Sequence, residues 1–281
     1  MKVFTFYYNR YQNATTSKEL KKNDIDHYVM LHNHEDYEKF KKFDTIQGKP
    51  IITNQSKGLA YQRNYALSMM QEGEWAAFMC DDFIKIKSYP INVIQSNLEH
   101  LPVDTTNQKY FGFYSKSAKH VQEFSLKQMF KLFPFLIEKA ESKKIHLIGF
   151  ALHTNPLNLR NKFIYRGLAD GRFWLIKKSN YQFDEKAQLI DDVAWTAENL
   201  IRHNNVLVLN WTIPYFGRYT AGGFGSTVER KVQRKKECQY LCMKYHPLVR
   251  LAKKANWDYG THIKLFGSQN NINISKRRNN L

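Results

Sequence analysis

The chain has 281 residues, 43% of them hydrophobic, with 17 Tyr and 19 Phe. That composition supports one large or two small cored domains and excludes disorder over most of the length. Its net charge of +18 is uneven: Ser226 to Leu281 carries 13 Lys/Arg against 3 Asp/Glu, the electrostatic footprint of a nucleic-acid binder.

Val3 to Tyr8 is apolar, aromatic and β-branched, and predicts a buried first strand. Tyr28 to Leu31 predicts a second strand, Glu35 to Phe43 a short charged helix, and Pro50 to Thr53 a third strand. Lys57-Gly58 is a turn into a helix that runs to about Met70. Trp75 to Met79 is a fourth strand ending at Asp81 and Asp82. Strands alternating with short helices predict an α/β sheet, parallel in its first half, with ligands beyond the carboxyl ends of its strands.

Ser125 to Lys143 predicts a longer helix, N-capped by Ser125 and kinked or stopped near Pro134. His146 to Leu152 and Gly171 to Lys177 predict strands, separated by an Asn-, Arg- and Pro-rich loop over Thr154 to Arg166. Asp191 to Asn204 predicts a helix with Val193, Ala197, Leu200 and Ile201 on one face, and Val206 to Leu209 a short strand. Gly222-Gly223-Phe224-Gly225 either closes over a ligand or merely connects. Ser226 and Glu229 have capping-box spacing and start a basic helix with Arg230, Lys231, Arg234, Lys235 and Lys236, the expected DNA contacts.

Cys80, Cys238 and Cys242 are an odd number without a CxxC pair, as expected of reduced thiols. The N-terminus lacks a signal peptide's apolar region, and no apolar run approaches a membrane span. A cytoplasmic protein without a membrane partner is expected.

Arg63 and Asn64 lie on the buried side of the Leu59–Met70 helix, among Leu59, Ala60, Ala66 and Leu67. A guanidinium there needs an anionic partner, either a carboxylate such as Asp81 or a diphosphate. Lys57, Gly58 and the helix N-terminus are suited to holding phosphate. Asp81 and Asp82 repel unless a cation sits between them, and hard oxygen ligands suit Mg²⁺ or Mn²⁺. Strand alternation directs the two to opposite faces, one toward metal and the other toward sugar, ribose or Arg63. Asp191 and Asp192 open a helix and either cap it and meet its dipole or supply a general base; of the two, Asp192 is favoured as the base because Asp191 is the better cap candidate. No HxxxH or HExxH spacing points to zinc.

Gly58-Leu59-Ala60-Tyr61-Gln62-Arg63-Asn64 followed by Gly73-Glu74-Trp75 and Asp81-Asp82 resembles the G-x-A-x-x-R-N and G-x-W/Y-x-x-x-x-D-D-D blocks of GT-A glycosyltransferases. Phe183-Asp184-Glu185, Asp191-Asp192-Val193 and Thr220-Ala221-Gly222-Gly223 are similar to the phage and TET/JBP-associated DNA glycosyltransferase branch. The resemblance covers roughly residues 1–230, and Cys80 stands where many relatives carry the first Asp of a triple. It implies a GT-A (Rossmann-like) mixed sheet flanked by helices over 1–225, while the charge of 226–281 marks a basic helical extension expected to contact DNA. It implies a metal-dependent, inverting transfer of glucose from UDP-glucose to 5-hydroxymethylcytosine, or its glucosylated form, in double-stranded DNA. Such an enzyme would protect phage DNA from restriction in the host cytoplasm. In this reading Asp82 holds Mg²⁺ or Mn²⁺; Lys57, Gly58, Arg63, Asn64 and Asp81 bind the donor; and Asp192 or Asp191 is the base. A transferase with a carbohydrate or protein acceptor shares this core, and a Mg²⁺-dependent nuclease is a further alternative that leaves the Gly58–Asn64 block unexplained.

Overall fold

The computed structural model describes residues 1–54, 58–88, 122–150, 163–217, 228–251 and 263–265. Lys57, the Gly222–Gly225 loop, the Ser226 cap and most of the 154–166 loop lie outside them. In chain order the elements begin β1 (Lys2–Phe6), α1 (Thr16–Lys22), β2 (Tyr28–Leu31), α2 (His34–Lys42), β3 (Lys49–Ile52) and α3 (Leu59–Ser68). Then follow β4 (Trp75–Cys80), β5 (Phe83–Ser88), β6 (Gln122–Phe124), α4 (Leu126–Glu141), β7 (Leu147–Phe150), β8 (Phe163–Ile164) and β9 (Phe173–Lys177). The last are α5 (Asp191–His203), β10 (Leu207–Leu209), β11 (Thr212–Phe216), α6 (Val228–Lys244), β12 (Val249–Leu251) and β13 (Ile263–Leu265).

Eight strands form one mixed sheet in the order β3-β2-β1-β4-β9-β7-β10-β8. The first four are parallel, as the alternation of strands and helices predicts. β9 inserts antiparallel between β4 and β7. This reversal brings the start of β9 beside the carboxyl end of β4, where Met79 pairs with Phe173. A second sheet, β11-β5-β6, and the β12–β13 pair complete the described strands.

The period-two pleat sorts the β4 side chains onto two cores. Trp75, Ala77 and Met79 join the cluster covered by Met129, Phe133 and Leu136 of α4. Ala76 and Phe78 join the opposite cluster, with Ala60, Ala66 and Leu67 of α3 and Trp195 of α5. Helices therefore flank both faces of an α/β sheet. Ser125 caps α4 in a reciprocal capping box with Gln128, and the helix continues through Pro134. Proline removes one backbone donor there, while the apolar stripe buried on both sides of it holds the helix together.

α6 does not stand off as an arm. Its Cys238 and Leu241, with Tyr245 just beyond its end, share a buried cluster with Ile190, Val193, Ala194 and Ala197. No described helix is long and apolar enough to cross a membrane.

Candidate active site

The chemistry-bearing residues gather at one end of the large sheet, beyond β1 and β4 and beside the start of β9. The chain leaves β1 through Asn9, whose left-handed backbone (φ 51°) turns it before Arg10. Arg10 Nη1 lies 3.1 Å from Asp81 Oδ1 and 2.6 Å from Asp82 Oδ2. The Tyr8 N–H donates to the other Asp81 oxygen at 3.1 Å. Asp81 and Asp82 are only 3% and 4% exposed, yet they share one guanidinium. The expectation that they point to opposite faces is corrected here. They occupy the turn between β4 and β5, where the strict alternation of a strand has ended. The start of α1 clamps that turn, with Thr15 and Thr16 N–H donating to the Asp81 carbonyl at 2.8 and 3.0 Å.

Burial raises the carboxyls of both residues, Asp81 to about 7. Cys80, beside them, is likewise pushed up by burial, to about 12, and stays a neutral thiol. The donor set does not fit the divalent cation expected at Asp82. Arg10 takes the place between the two carboxylates, the second Asp81 oxygen accepts from Tyr8 N–H, and Cys80 beside them is a neutral thiol. Among the described residues, no group of three His, Cys, Asp or Glu is placed to hold a metal ion.

Arg63 is 1% exposed. Its Nη1 is paired with Asp191, and its Nη2 donates to the Gly171 carbonyl at 2.6 Å. The guanidinium lies over the Trp174 ring at 4.5 Å, with Phe183 and Phe6 at 5.4 and 5.6 Å. Burial lowers its pKa to about 10, which leaves it charged at neutral pH. The required anion is thus a carboxylate, Asp191 rather than Asp81, and the expected role in holding diphosphate is corrected to that of a brace. Asn64 is a brace as well: its amide exchanges two hydrogen bonds with the Phe183 backbone, at 2.7 and 3.1 Å.

Gly58 precedes α3 with φ 151°, and a Cβ there would meet Gln188 Oε1 at 2.4 Å. That oxygen accepts from Ala60 N–H at 3.0 Å. The α3 N-terminus, expected to bind phosphate, is therefore capped by a side chain from the segment before α5. Ala60, Arg63 and Asn64 of α3 all meet residues 183–191, joining two stretches that the sequence leaves far apart.

That interlock positions Asp192. Asp191 is the first residue of α5, Ile190 is the N-cap, and no side chain caps the helix, so the expected capping role of Asp191 is corrected. Asp192 is half-buried, and its Cβ comes within 2.8 Å of a Cβ built on Gly171, an approach that a larger residue at 171 would block. Desolvation and the neighbouring Asp170 carboxylate push Asp192 up to about 6. Asp170 itself is 4% exposed and forked by Arg172, whose Nε reaches its two oxygens at 2.9 and 3.0 Å. Arg10, Asp170, Arg172 and Gln188 are site residues that the sequence reading did not single out.

The basic residues of α6 divide. Arg230 and Arg234 are half-buried on the stripe that continues into Glu237, Cys238 and Leu241, whereas Lys231, Lys235 and Lys236 are exposed. Steps of three and four residues return to one helix face, so the five cannot all meet DNA from the same side.

Neither a protein-family model nor a curated relative matches the sequence. Among solved structures the chain is similar to mannose-6-phosphate isomerase from Helicobacter pylori, with 12% identity, 95% of this chain and 87% of that chain covered, and a TM-score of 0.28. A likeness at that level bears on neither fold nor chemistry.

The Asp192 shift makes stability depend on pH. Folded Asp192 keeps its proton to about pH 6, while the unfolded residue releases it near the ordinary value of 3.8. Between those values the folded state binds more protons, so rising pH removes stability. In urea unfolding, the wild type should lose stability relative to Asp192→Asn from about pH 4 to about pH 6 and run parallel to it above. Parallel profiles throughout would contradict the placement of this carboxyl.

Proposed function

We propose that the chain is a GT-A glycosyltransferase that moves glucose from UDP-glucose to 5-hydroxymethylcytosine, or its glucosylated form, in double-stranded DNA. The observation that carries this reading is the convergence of the two motif blocks. Ala60, Arg63 and Asn64 of the first bind residues 183–191 of the second, and this leaves Asp192 half-buried at the carboxyl end of the sheet, where such folds take their ligands.

In the proposed reaction Asp192 accepts the proton of the acceptor hydroxyl as that oxygen attacks the anomeric carbon. A carboxyl held near 6 is mostly ionised at neutral pH and is a better base than an ordinary aspartate. Attack from the side opposite the departing diphosphate inverts the anomeric centre. Asp170, kept in place by Arg172, raises the basicity of Asp192 and does not contact the acceptor. A sugar or hydroxymethyl group in the major groove is already exposed, so no base need leave the stack. The exposed lysines of α6 supply sequence-independent phosphate contacts, and the modified base supplies specificity. Such a modification would shield phage DNA from restriction in the host cytoplasm.

Mass spectrometry of nucleosides, after incubation of plain, hydroxymethylated and glucosylated DNA with each UDP-sugar, tests the reading. One added hexose is expected on a modified cytosine with UDP-glucose, and Asp192→Asn should slow its appearance by about 10²-fold or more. Transfer to a carbohydrate or protein and never to DNA would replace the acceptor, and no transfer from any donor would remove the reading. Replacing Lys231, Lys235 and Lys236 by Gln should lower the slope of log affinity against log salt by about 0.9 for each phosphate that is no longer neutralised, alike on unrelated DNA sequences. An unchanged slope would free this face from any DNA role.

A further inference from the structure

Arg10, Arg230 and Arg234 lie near enough for Arg230 to feel the charge of the other two. Arg10 rests on Asp81 and Asp82. Arg234 and Arg230 lie one and two turns before Cys238, on the face by which α6 packs against the start of α5. Glu237 fixes that stretch by accepting from Leu189 N–H at 2.9 Å. So docked, Arg234 is near enough to act on the Asp192 carboxylate, at the first turn of α5, and Arg230 is near enough to feel Arg10.

Two features of this cluster call for an anion. Arg10 Nε and Arg234 Nε are buried donors with no hydrogen-bond partner among the described residues. Such donors cost free energy until something accepts from them. Desolvation, and the like charges of Arg234 and Arg10, also hold the Arg230 guanidinium below its usual range. Arg230, partly stripped of water beside Arg234 and Arg10, is held at a cost that an entering polyanion relieves.

Resting on the UDP-sugar reading, we infer that Arg10, Arg230 and Arg234 seat the donor's diphosphate and supply the positive charge that Mg²⁺ or Mn²⁺ was expected to supply. Guanidinium forks match phosphate oxygens in pairs and need no further cation to orient them. During transfer the bond between the anomeric carbon and the diphosphate oxygen breaks, and its electron pair leaves with the nucleoside diphosphate. The acceptor oxygen forms the new bond to that carbon, and its proton passes to Asp192. The developing negative charge faces fixed arginines, which need little reorganisation. α6 then has two faces with two tasks: its arginines face the donor and its lysines face DNA.

Calorimetry of the full chain with UDP and with inorganic pyrophosphate, in excess EDTA, tests the inference. The variants are Arg230→Gln, Arg234→Gln and Arg234→Lys, with Lys131→Gln on α4 removing an exposed charge on the other face of the sheet. The wild type and Lys131→Gln should bind UDP in chelator. Each Gln variant should bind about tenfold more weakly or worse, and Arg234→Lys, which keeps charge but loses the fork, should fall between. Circular dichroism establishes which variants are folded, and Arg234→Lys decides the case if a Gln variant is not. Unchanged UDP affinity in the folded arginine variants, or UDP binding that appears only on adding Mg²⁺ or Mn²⁺, overturns the inference and leaves the UDP-sugar reading standing. Arginine-dependent binding of pyrophosphate with no preference for UDP upholds the arginine seat and overturns the UDP-sugar reading. Binding of neither anion overturns both.

Discussion

The site depends on one buried ion pair, Arg63 with Asp191, formed between helices whose residues lie 128 apart in sequence. A guanidinium sealed among Trp174, Phe183 and Phe6 is unfavourable without a counter-charge. Asp191 supplies it, and the Gly171 carbonyl takes a second donor. Because both partners are desolvated, few alternative arrangements of α3 and α5 satisfy them. Asn64 on the Phe183 backbone and Gln188 on the α3 N-terminus add neutral hydrogen bonds to the same joint. The result is a fixed position for the first turn of α5, and Asp192 follows from it.

The same economy runs across the end of the sheet, where carboxylates and guanidiniums alternate. Arg10 serves Asp81 and Asp82, Arg172 serves Asp170, Arg63 serves Asp191, and Arg234 and Arg63 temper the charge on Asp192. Burial nonetheless leaves Asp81 and Asp192 with raised pKa values, about 7 and about 6. Near neutral pH Asp192 is mostly ionised, whereas Asp81 is substantially protonated, which tilts the balance around Arg10 toward positive charge.

Much of this was legible in the residues. Continuous apolar runs announced β1 to β4, the glycine turn announced α3, and the strand end located Asp81 and Asp82 beyond the sheet. The inner-face position of Arg63 required a buried anion, but no local rule chooses among Asp81, Asp191 and a diphosphate. That choice comes from tertiary packing. Arg10 lies in a Tyr-Asn-Arg-Tyr stretch that reads as plain loop, and only the left-handed turn at Asn9 accompanies its return to β4. Asp170 and Arg172 stayed hidden because a strand's pattern does not reveal its direction, and the antiparallel run of β9 is what brings them to the site. α1 is seven residues long with no extended apolar period, and the pairing of β5 with β11 spans more than a hundred residues, so neither had a local signal. The basic helix was legible as a charge run, while its division into arginine and lysine faces followed from where α5 receives it.

A double-mutant cycle on Arg63 and Asp191, read by urea unfolding, tests the central claim that this pair holds the site together. Arg63→Met and Asp191→Leu each strand a buried charge and should cost about 3–5 kcal/mol. The double variant removes both charges and should recover much of that loss, giving a coupling energy well above about 1 kcal/mol. Two small, additive losses would contradict the account and leave the joint between α3 and α5 to the apolar contacts around it.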